Sequence, residues 1–266
     1  MIDRFGRTID YLRISVTDRC NLRCCYCMPP EGVPLLRHED ILRLEEIAEV
    51  ARCAVGLGVT KIRVTGGEPL VRRGIESLVR MLASIDGVGD LAMTTNGQVL
   101  EQFAPALAAA GLRRVNVSLD AMDPRRYAAI TRGGEVRRVI AGIHAARQAG
   151  LNPVKLNCVL SSEGHDQDAD DVAEFARREG LEVRFIRRMN LADGRFGKIE
   201  GGNGGDCPRC NRLRLTSDGE IRPCLFSDLS FNVRQLGAAE AVARAVAEKP
   251  QAGSVCSNRT IHSIGG

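Results

Sequence analysis

Along the first two thirds of the chain, short β-branched runs alternate with longer stretches whose apolar residues recur at helical intervals. The runs Tyr11–Thr17 (YLRISVT), Lys61–Thr65 (KIRVT), Asp90–Thr95 (DLAMTT), Arg114–Asp120 (RVNVSLD), Pro153–Leu160 (PVKLNCVL) and Glu182–Met189 (EVRFIRRM) predict six strands. Ile41–Leu57, Ile75–Ile85, Val99–Ala110, Val136–Ala149 and Ala169–Glu179 predict helices, and Gly111, Gly150 and Gly180 stand where a helix stop is expected. Six such units imply parallel pairing with right-handed crossovers, an α/β fold that fits a partial (β/α)6 TIM-like barrel better than a closed eight-fold one. Chemistry in such barrels gathers at the C-terminal ends of the strands. After Met189 the pattern stops, and Leu191–Asp206, with six glycines and no apolar period, predicts a linker. Leu213–Thr216 and Glu220–Arg222 about Ser217-Asp218-Gly219 predict a small hairpin, followed by a helix from about Val233 to Glu248. The expected organisation is a barrel over 1–189, a Gly-rich linker over 190–206 and a C-terminal hairpin-plus-helix region over 207–266.

Composition adds limits. The 266 residues are 44% apolar and 26% charged, which excludes fibrous and wholly disordered classes. No run reaches the roughly 18–20 apolar residues of a membrane span, and Met1–Asp10 has no apolar segment of a signal peptide, so a soluble cytoplasmic protein is expected, with no membrane partner. All but Lys61, Lys155, Lys198 and Lys249 of the 37 basic residues are arginine. A net charge of +4, 4% aromatics and no Trp argue against a nucleic-acid polymer and leave room for a small anionic substrate. Ten cysteines without an export signal read as metal or redox chemistry.

Their spacing sharpens that reading. Cys20, Cys24 and Cys27 form C-x3-C-x2-C directly after the first strand. Three thiolates on one short loop can hold three irons of a 4Fe–4S cube and leave the fourth open to an exogenous ligand. The alternative is a zinc knuckle completed by Cys25, which adjacent Cys24 and Cys25 serve poorly. Cys207, Cys210 and Cys224 form a second triplet, C-x2-C-x13-C, open to either an iron–sulfur cluster or a zinc site completed by Cys256. Cys53 and Cys158 fall in helical and strand patterns and read as buried small hydrophobes. Thr65-Gly66-Gly67-Glu68-Pro69 closes the second strand, where glycines let backbone approach a ligand, Glu68 adds an acceptor and Pro69 fixes the turn.

The loop C-N-L-R-C-C-Y-C, with an aromatic before its last cysteine, resembles the radical S-adenosylmethionine (SAM) signature, and Gly66–Pro69 resembles that superfamily's GGEP element. YLRISVTDRC, RVTGGEP, TTNG, NVSLD, VKLN, CNRLR and a terminal Gly-Gly together resemble the MoaA family, the GTP 3′,8-cyclases of molybdenum cofactor biosynthesis, over nearly the whole chain. The resemblance implies a radical SAM lyase with two 4Fe–4S clusters, on Cys20, Cys24, Cys27 and on Cys207, Cys210, Cys224. It implies SAM contacts at Tyr26, Gly67, Ser118 and Met189, and GTP contacts at Arg13, Arg63, Thr94, Lys155, Arg212, Leu213 and Arg214. A tail, Gly265-Gly266, would reach into the site, and no side chain is expected as acid, base or nucleophile because the cofactor carries the chemistry. The implied partners are GTP, an electron donor such as flavodoxin or ferredoxin, and the downstream cyclic pyranopterin monophosphate synthase, and the family leaves room for a homodimer. Two departures stand out: only 17 residues, Asn190–Asp206, replace a longer family segment, and Met189 is flanked by Arg188 and Asn190 where the family usually has an acidic residue and Pro. The alternatives are a radical SAM peptide or small-molecule modifier with an auxiliary cluster, and a non-catalytic metal-binding scaffold.

Overall fold

A computed structural model describes residues 1–160, 166–188, 199–200 and 204–254. Six strands, β1 (Tyr11–Ser15), β2 (Lys61–Thr65), β3 (Asp90–Thr95), β4 (Arg114–Ser118), β5 (Lys155–Leu160) and β6 (Glu182–Arg187), pair in parallel in chain order. The intervening helices are α1 (Leu44–Gly56), α2 (Ile75–Ala83), α3 (Leu100–Ala109), α4 (Pro124–Thr131), α5 (Val136–Gln148) and α6 (Gln167–Glu179). All but α4 bury an apolar stripe: in α2, Ile75, Leu78, Val79 and Leu82, at i, i+3, i+4 and i+7, are all buried. Helix α4 lies outside the predicted set, since it buries only Tyr127 and Thr131. Its signals are in its cap, where the Asp123 carboxylate accepts from Arg126 N and Pro124 occupies the first turn.

The C-terminal strands continue the same sheet. β7 (Arg212–Leu215) adds in parallel to the far edge of β1, and β8 (Glu220–Arg222) and β9 (Phe231–Asn232) follow antiparallel, giving the order β6-β5-β4-β3-β2-β1-β7-β8-β9. The single helix predicted from Val233 is two, α7 (Val233–Leu236) and α8 (Ala238–Ala247), broken where Gly237 takes φ 81°. Among the described residues no helix is long and apolar enough to cross a membrane.

Alternation along the strands separates two faces. Leu12, Ile14, Ile62, Val64, Val115 and Val117 face the helices and are buried. The opposite positions carry Arg13, Arg63, Thr94, Asn116, Asn157, Arg184 and Arg214 and line open space. In a closed eight-fold barrel bulky branched residues pack the inward positions. Here those positions are polar, so the open barrel encloses a lumen instead of a core.

Candidate functional site

The cysteine loop leaves the end of β1 and is clasped from both sides. On one side the Gly-Gly turn after β2 lies across its entry: Gly67 N donates to Thr17 O at 2.7 Å and Glu68 N to Arg19 O at 2.8 Å. A Cβ on Gly67 would stand 2.3 Å from Arg19 O, so glycine is required by the loop itself. Glu68, 1% exposed, accepts from Leu70 N (3.1 Å), Thr95 Oγ1 (2.7 Å) and Asn96 N (2.7 Å), and latches the ends of β2 and β3 together. Burial pushes its carboxyl up to about 7, against the pull of those three donors. Asn96 Nδ2 in turn donates to Asn21 Oδ1 at 2.8 Å and to Cys20 Sγ at 3.8 Å.

On the other side α4 holds the loop. Arg23 N and Cys25 N donate to the carbonyls of Thr131 and Ile130 at 3.2 and 2.9 Å. Arg132, in the left-handed region at φ 54°, donates from Nη1 to Arg23 O and Met28 O. The Tyr26 hydroxyl donates to Asp120 Oδ2 at 2.6 Å, and Asp120 Oδ1 accepts from Val159 N at 2.9 Å, which ties the loop to the ends of β4 and β5.

Cys20, Cys24 and Cys27 line one wall of an open cavity with Tyr26, Gly66, Gly67 and Ser118, while Cys25 lies outside it and is exposed. Burial, reinforced by Cys20, pushes the Cys27 thiol up to about 12, and burial with the charges of Cys27 and Asp120 pushes Cys24 up as well. Three sheltered sulfurs that oppose one another's charge suit a cationic group between them. Among the described residues no three His, Cys, Asp or Glu side chains gather as a single-ion site. Zinc, with Zn–S bonds of about 2.3 Å, would draw its sulfurs within about 4 Å of each other. An iron–sulfur cube spreads them further, so this donor set fits a cluster better than one ion.

A second open cavity shares Thr94, Asn157 and Ile186 with the first, so the two adjoin. Cys207, Cys210 and Cys224 line one side of it and Arg13, Arg63, Arg184, Arg212 and Arg214 another. Arg214, Arg13 and Arg63 occupy one register level on β7, β1 and β2, where adjacent strands lie about 4.8 Å apart. Burial and the neighbouring Arg212 push Arg214 down to about 10; burial and Arg214 push Arg13 down too. The Arg63 guanidinium lies 5.7 Å from the centroid of the Tyr11 ring. Arg63 Nε, Thr94 Oγ1 and both amide atoms of Asn116 are buried here without a hydrogen-bond partner, and Asn116 is 0% exposed. Crowded guanidinium groups and orphaned polar atoms together describe a cradle for a polyanion.

The expected residues distribute as follows. Tyr26, Gly67 and Ser118 line the first cavity, and Arg13, Arg63, Arg212 and Arg214 the second, with Thr94 in both. Lys155 does not line the second cavity: it neighbours Asn116 in register, and its ammonium pairs with the Glu182 carboxylate. Leu213 turns into the core, because alternation on β7 sends it away from Arg212 and Arg214. Met189, Cys256, Gly265 and Gly266 lie outside the described residues. Cys158 is buried as expected, whereas Cys53 is half-exposed near Glu49. Asn116 and Asn157 stand in the NVSLD and VKLN motifs but carried no site role there, and Arg184 lies outside every motif; their common signal is inward parity on strands that already carry site residues.

Residues 14–176 match the Radical SAM superfamily. The GTP 3′,8-cyclase of Moorella thermoacetica is 45% identical over 94% of this chain and 94% of that protein. That of Petrotoga mobilis is 42% identical over 88% of this chain and 86% of that protein. That of Alkaliphilus oremlandii is 37% identical over the whole of both, in an alignment of 320 positions against 266 residues here, so at least 54 positions lie opposite gaps in this chain. Among solved structures, Streptococcus suis SuiB bound to precursor peptide SuiA superposes with a TM-score of 0.71 at 15% identity, covering 96% of this chain and 68% of that one. anSMEcpe with bound AdoMet gives 0.63 at 15%, covering 91% and 81%. At such identities these structures bear on the fold alone.

Proposed function

This chain belongs to the radical SAM superfamily and, within it, to the GTP 3′,8-cyclase family, and we propose that its two adjoining cavities divide between them the conversion of GTP to (8S)-3′,8-cyclo-7,8-dihydroguanosine 5′-triphosphate, the first step of molybdenum cofactor biosynthesis. The observation that carries this reading is the shared wall of Thr94, Asn157 and Ile186 between a thiol-lined cavity and one lined by thiols and arginines. When bound, a 4Fe–4S cluster on Cys20, Cys24 and Cys27 together with SAM would supply one-electron radical chemistry at the wall between the two cavities.

The chain's own residues bind, orient and enclose. Cys20, Cys24 and Cys27 would hold the first cluster, with Tyr26, Gly67 and Ser118 at SAM and Met189 completing that set. Cys207, Cys210 and Cys224 would hold the second cluster at the guanine end of the GTP cavity. Arg13, Arg63 and Arg214 face the triphosphate, where each charge-assisted bond is worth about 1.5–3 kcal/mol. Their mutual repulsion favours an anion between them over an empty cradle. Thr94 and Asn116 supply the polar atoms that lack partners. Lys155 joins the triphosphate by leaving Glu182, which is 59% exposed, so that pair is worth about 1 kcal/mol or less. No side chain is assigned as acid or base; positioning and exclusion of water are the protein's part. A reductant of the flavodoxin or ferredoxin class and cyclic pyranopterin monophosphate synthase, which takes the product, are the partners this reading calls for.

Calorimetric titration of GTP into Arg212→Ala and Arg214→Ala tests the assignment. At least tenfold weaker binding in each is expected. Unchanged binding would remove GTP from the second cavity and favour a peptide or small-molecule modifier.

A further inference from the structure

The second thiol triplet is carried on two backbone segments, the turn Cys207–Cys210 and the stretch through Cys224, and two buried cations grip both. Cys207 opens a single 3-10 turn, Cys207–Arg209, Cys210 closes that turn ahead of β7, and Cys224 lies beyond β8. Lys249, just past α8, is 1% exposed. Its Nζ donates to Arg212 O, two residues beyond Cys210, at 2.7 Å, and to Pro223 O, immediately before Cys224. The thiols of Cys210 and Cys224 act on the same ammonium electrostatically. Arg7, 8% exposed and held by Asp3 at 2.6 Å, donates from Nη1 to Cys207 O at 2.9 Å. The same guanidinium reaches Gln251 O at 3.0 Å and Pro250 O at 2.7 Å, which fixes the segment that carries Lys249.

Among the described residues, the titratable groups that face Lys249 are the thiols of Cys210 and Cys224 and the Arg7 guanidinium. Burying an ammonium costs several kcal/mol unless an opposite charge offsets it. Thiols that ligate metal do so as thiolates and supply that charge. Thirty-three of the 37 basic residues are arginine, yet this position is lysine. A compact ammonium can aim three donors at acceptors around a point, which a planar fork cannot.

We propose that Lys249 and Arg7 are positioning residues for the auxiliary cluster: Lys249 holds the Cys210 and Cys224 segments together and its buried charge raises the cluster's reduction potential, while Arg7 fixes Cys207. The proposal rests on the reading that Cys207, Cys210 and Cys224 ligate an iron–sulfur cluster.

The test uses the full chain carrying Cys20→Ala, Cys24→Ala and Cys27→Ala, reconstituted anaerobically with iron and sulfide, so that only the second triplet can hold a cluster. About four irons per chain are expected in this reference; none would overturn the cluster assignment and the inference with it. Adding Lys249→Met, which keeps the side-chain length and removes the charge, is expected to lose at least half the iron during desalting against a chelator. Its reduction midpoint, followed by electron paramagnetic resonance, moves to more negative potential. Lys249→Arg restores the charge and returns the midpoint toward the reference, even where its fork still sheds iron. Reference iron content and midpoint in Lys249→Met, or a midpoint in Lys249→Arg as low as in Lys249→Met, overturn the proposal. If Lys249→Met fails to fold or holds no cluster, Arg7→Gln decides: iron loss on desalting supports the proposal, and reference iron content overturns it.

Discussion

Replacing Gly67 with alanine sets a methyl against the backbone of the cysteine loop. Its Cβ would lie 2.3 Å from Arg19 O, 2.6 Å from Arg19 C and 3.0 Å from Asp18 O, where ordinary contact needs about 3.5 Å. None of these atoms is the end of a flexible side chain, so the two segments must part by about 1 Å. That movement breaks Gly67 N to Thr17 O and Glu68 N to Arg19 O, each worth about 1 kcal/mol. Overpacking adds about 1–3 kcal/mol. The expected loss is about 4 kcal/mol, which for a chain of this size lowers the melting temperature by about 8–16 °C. Because Arg19 precedes Cys20, iron binding at the first triplet should fall with it. Gly150→Ala is the control: φ is +83° and nothing lies within 4 Å of its added Cβ, so it carries only the left-handed cost of about 1–2 kcal/mol. Calorimetric melts of the apoproteins and iron counts after reconstitution make the comparison. A Gly67→Ala protein that melts at or above Gly150→Ala with full iron would show that the turn tolerates a Cβ at Gly67.

Three further substitutions probe separate links. Glu68 has a folded pKa of about 7, above its ordinary value, so its contribution to stability is present below about 4.5 and is lost as pH rises through 7; Glu68→Gln does not titrate, and the stability difference between the two proteins should change by about 3 kcal/mol across that window, whereas parallel melting profiles would contradict it. Asn116→Val removes a buried amide without partners, so melting should hold steady or rise while GTP binding, by calorimetry, weakens about tenfold; a stability loss above about 2 kcal/mol would mean the amide is satisfied. Tyr26→Phe keeps the ring but deprives Asp120 Oδ2 of its donor, so stability should drop by about 1–3 kcal/mol with SAM affinity, by equilibrium dialysis, changed less than threefold; the reverse pattern would place the hydroxyl at SAM.

Local periodicity reports which side of an element is buried, and that is why β2 and β3 coincide with their apolar runs in the sequence while β1 and β4 end two residues early, where Val16, Thr17, Leu119 and Asp120 turn into the loops of the site. Strand β5 starts at Lys155 instead of Pro153, which has no N–H to offer the ladder. Helix α4 was hidden by its thin apolar stripe, and with it the bonds that hold the cysteine loop. The docking of β7 on β1 joins residues some 200 apart in the chain, a contact no local pattern encodes, and it alone brings Arg214 level with Arg13 and Arg63. The same limit explains Lys155 and Leu213: motif identity places a residue on a strand, but partner and parity decide where its side chain goes. The site roles of Asn116, already inside the NVSLD motif, and of Arg184 emerged only as an orphaned amide and a fifth arginine in an assembled cavity.

The central claim is that SAM-derived radical chemistry in the first cavity acts on GTP held in the second. Anaerobic turnover of the reconstituted protein with reductant, SAM and GTP deuterated at C3′ addresses it in one measurement. Deuterium in the 5′-deoxyadenosine together with a cyclised nucleoside triphosphate is expected. Unlabelled 5′-deoxyadenosine, formed at the same rate without GTP and with no new nucleotide, would contradict it.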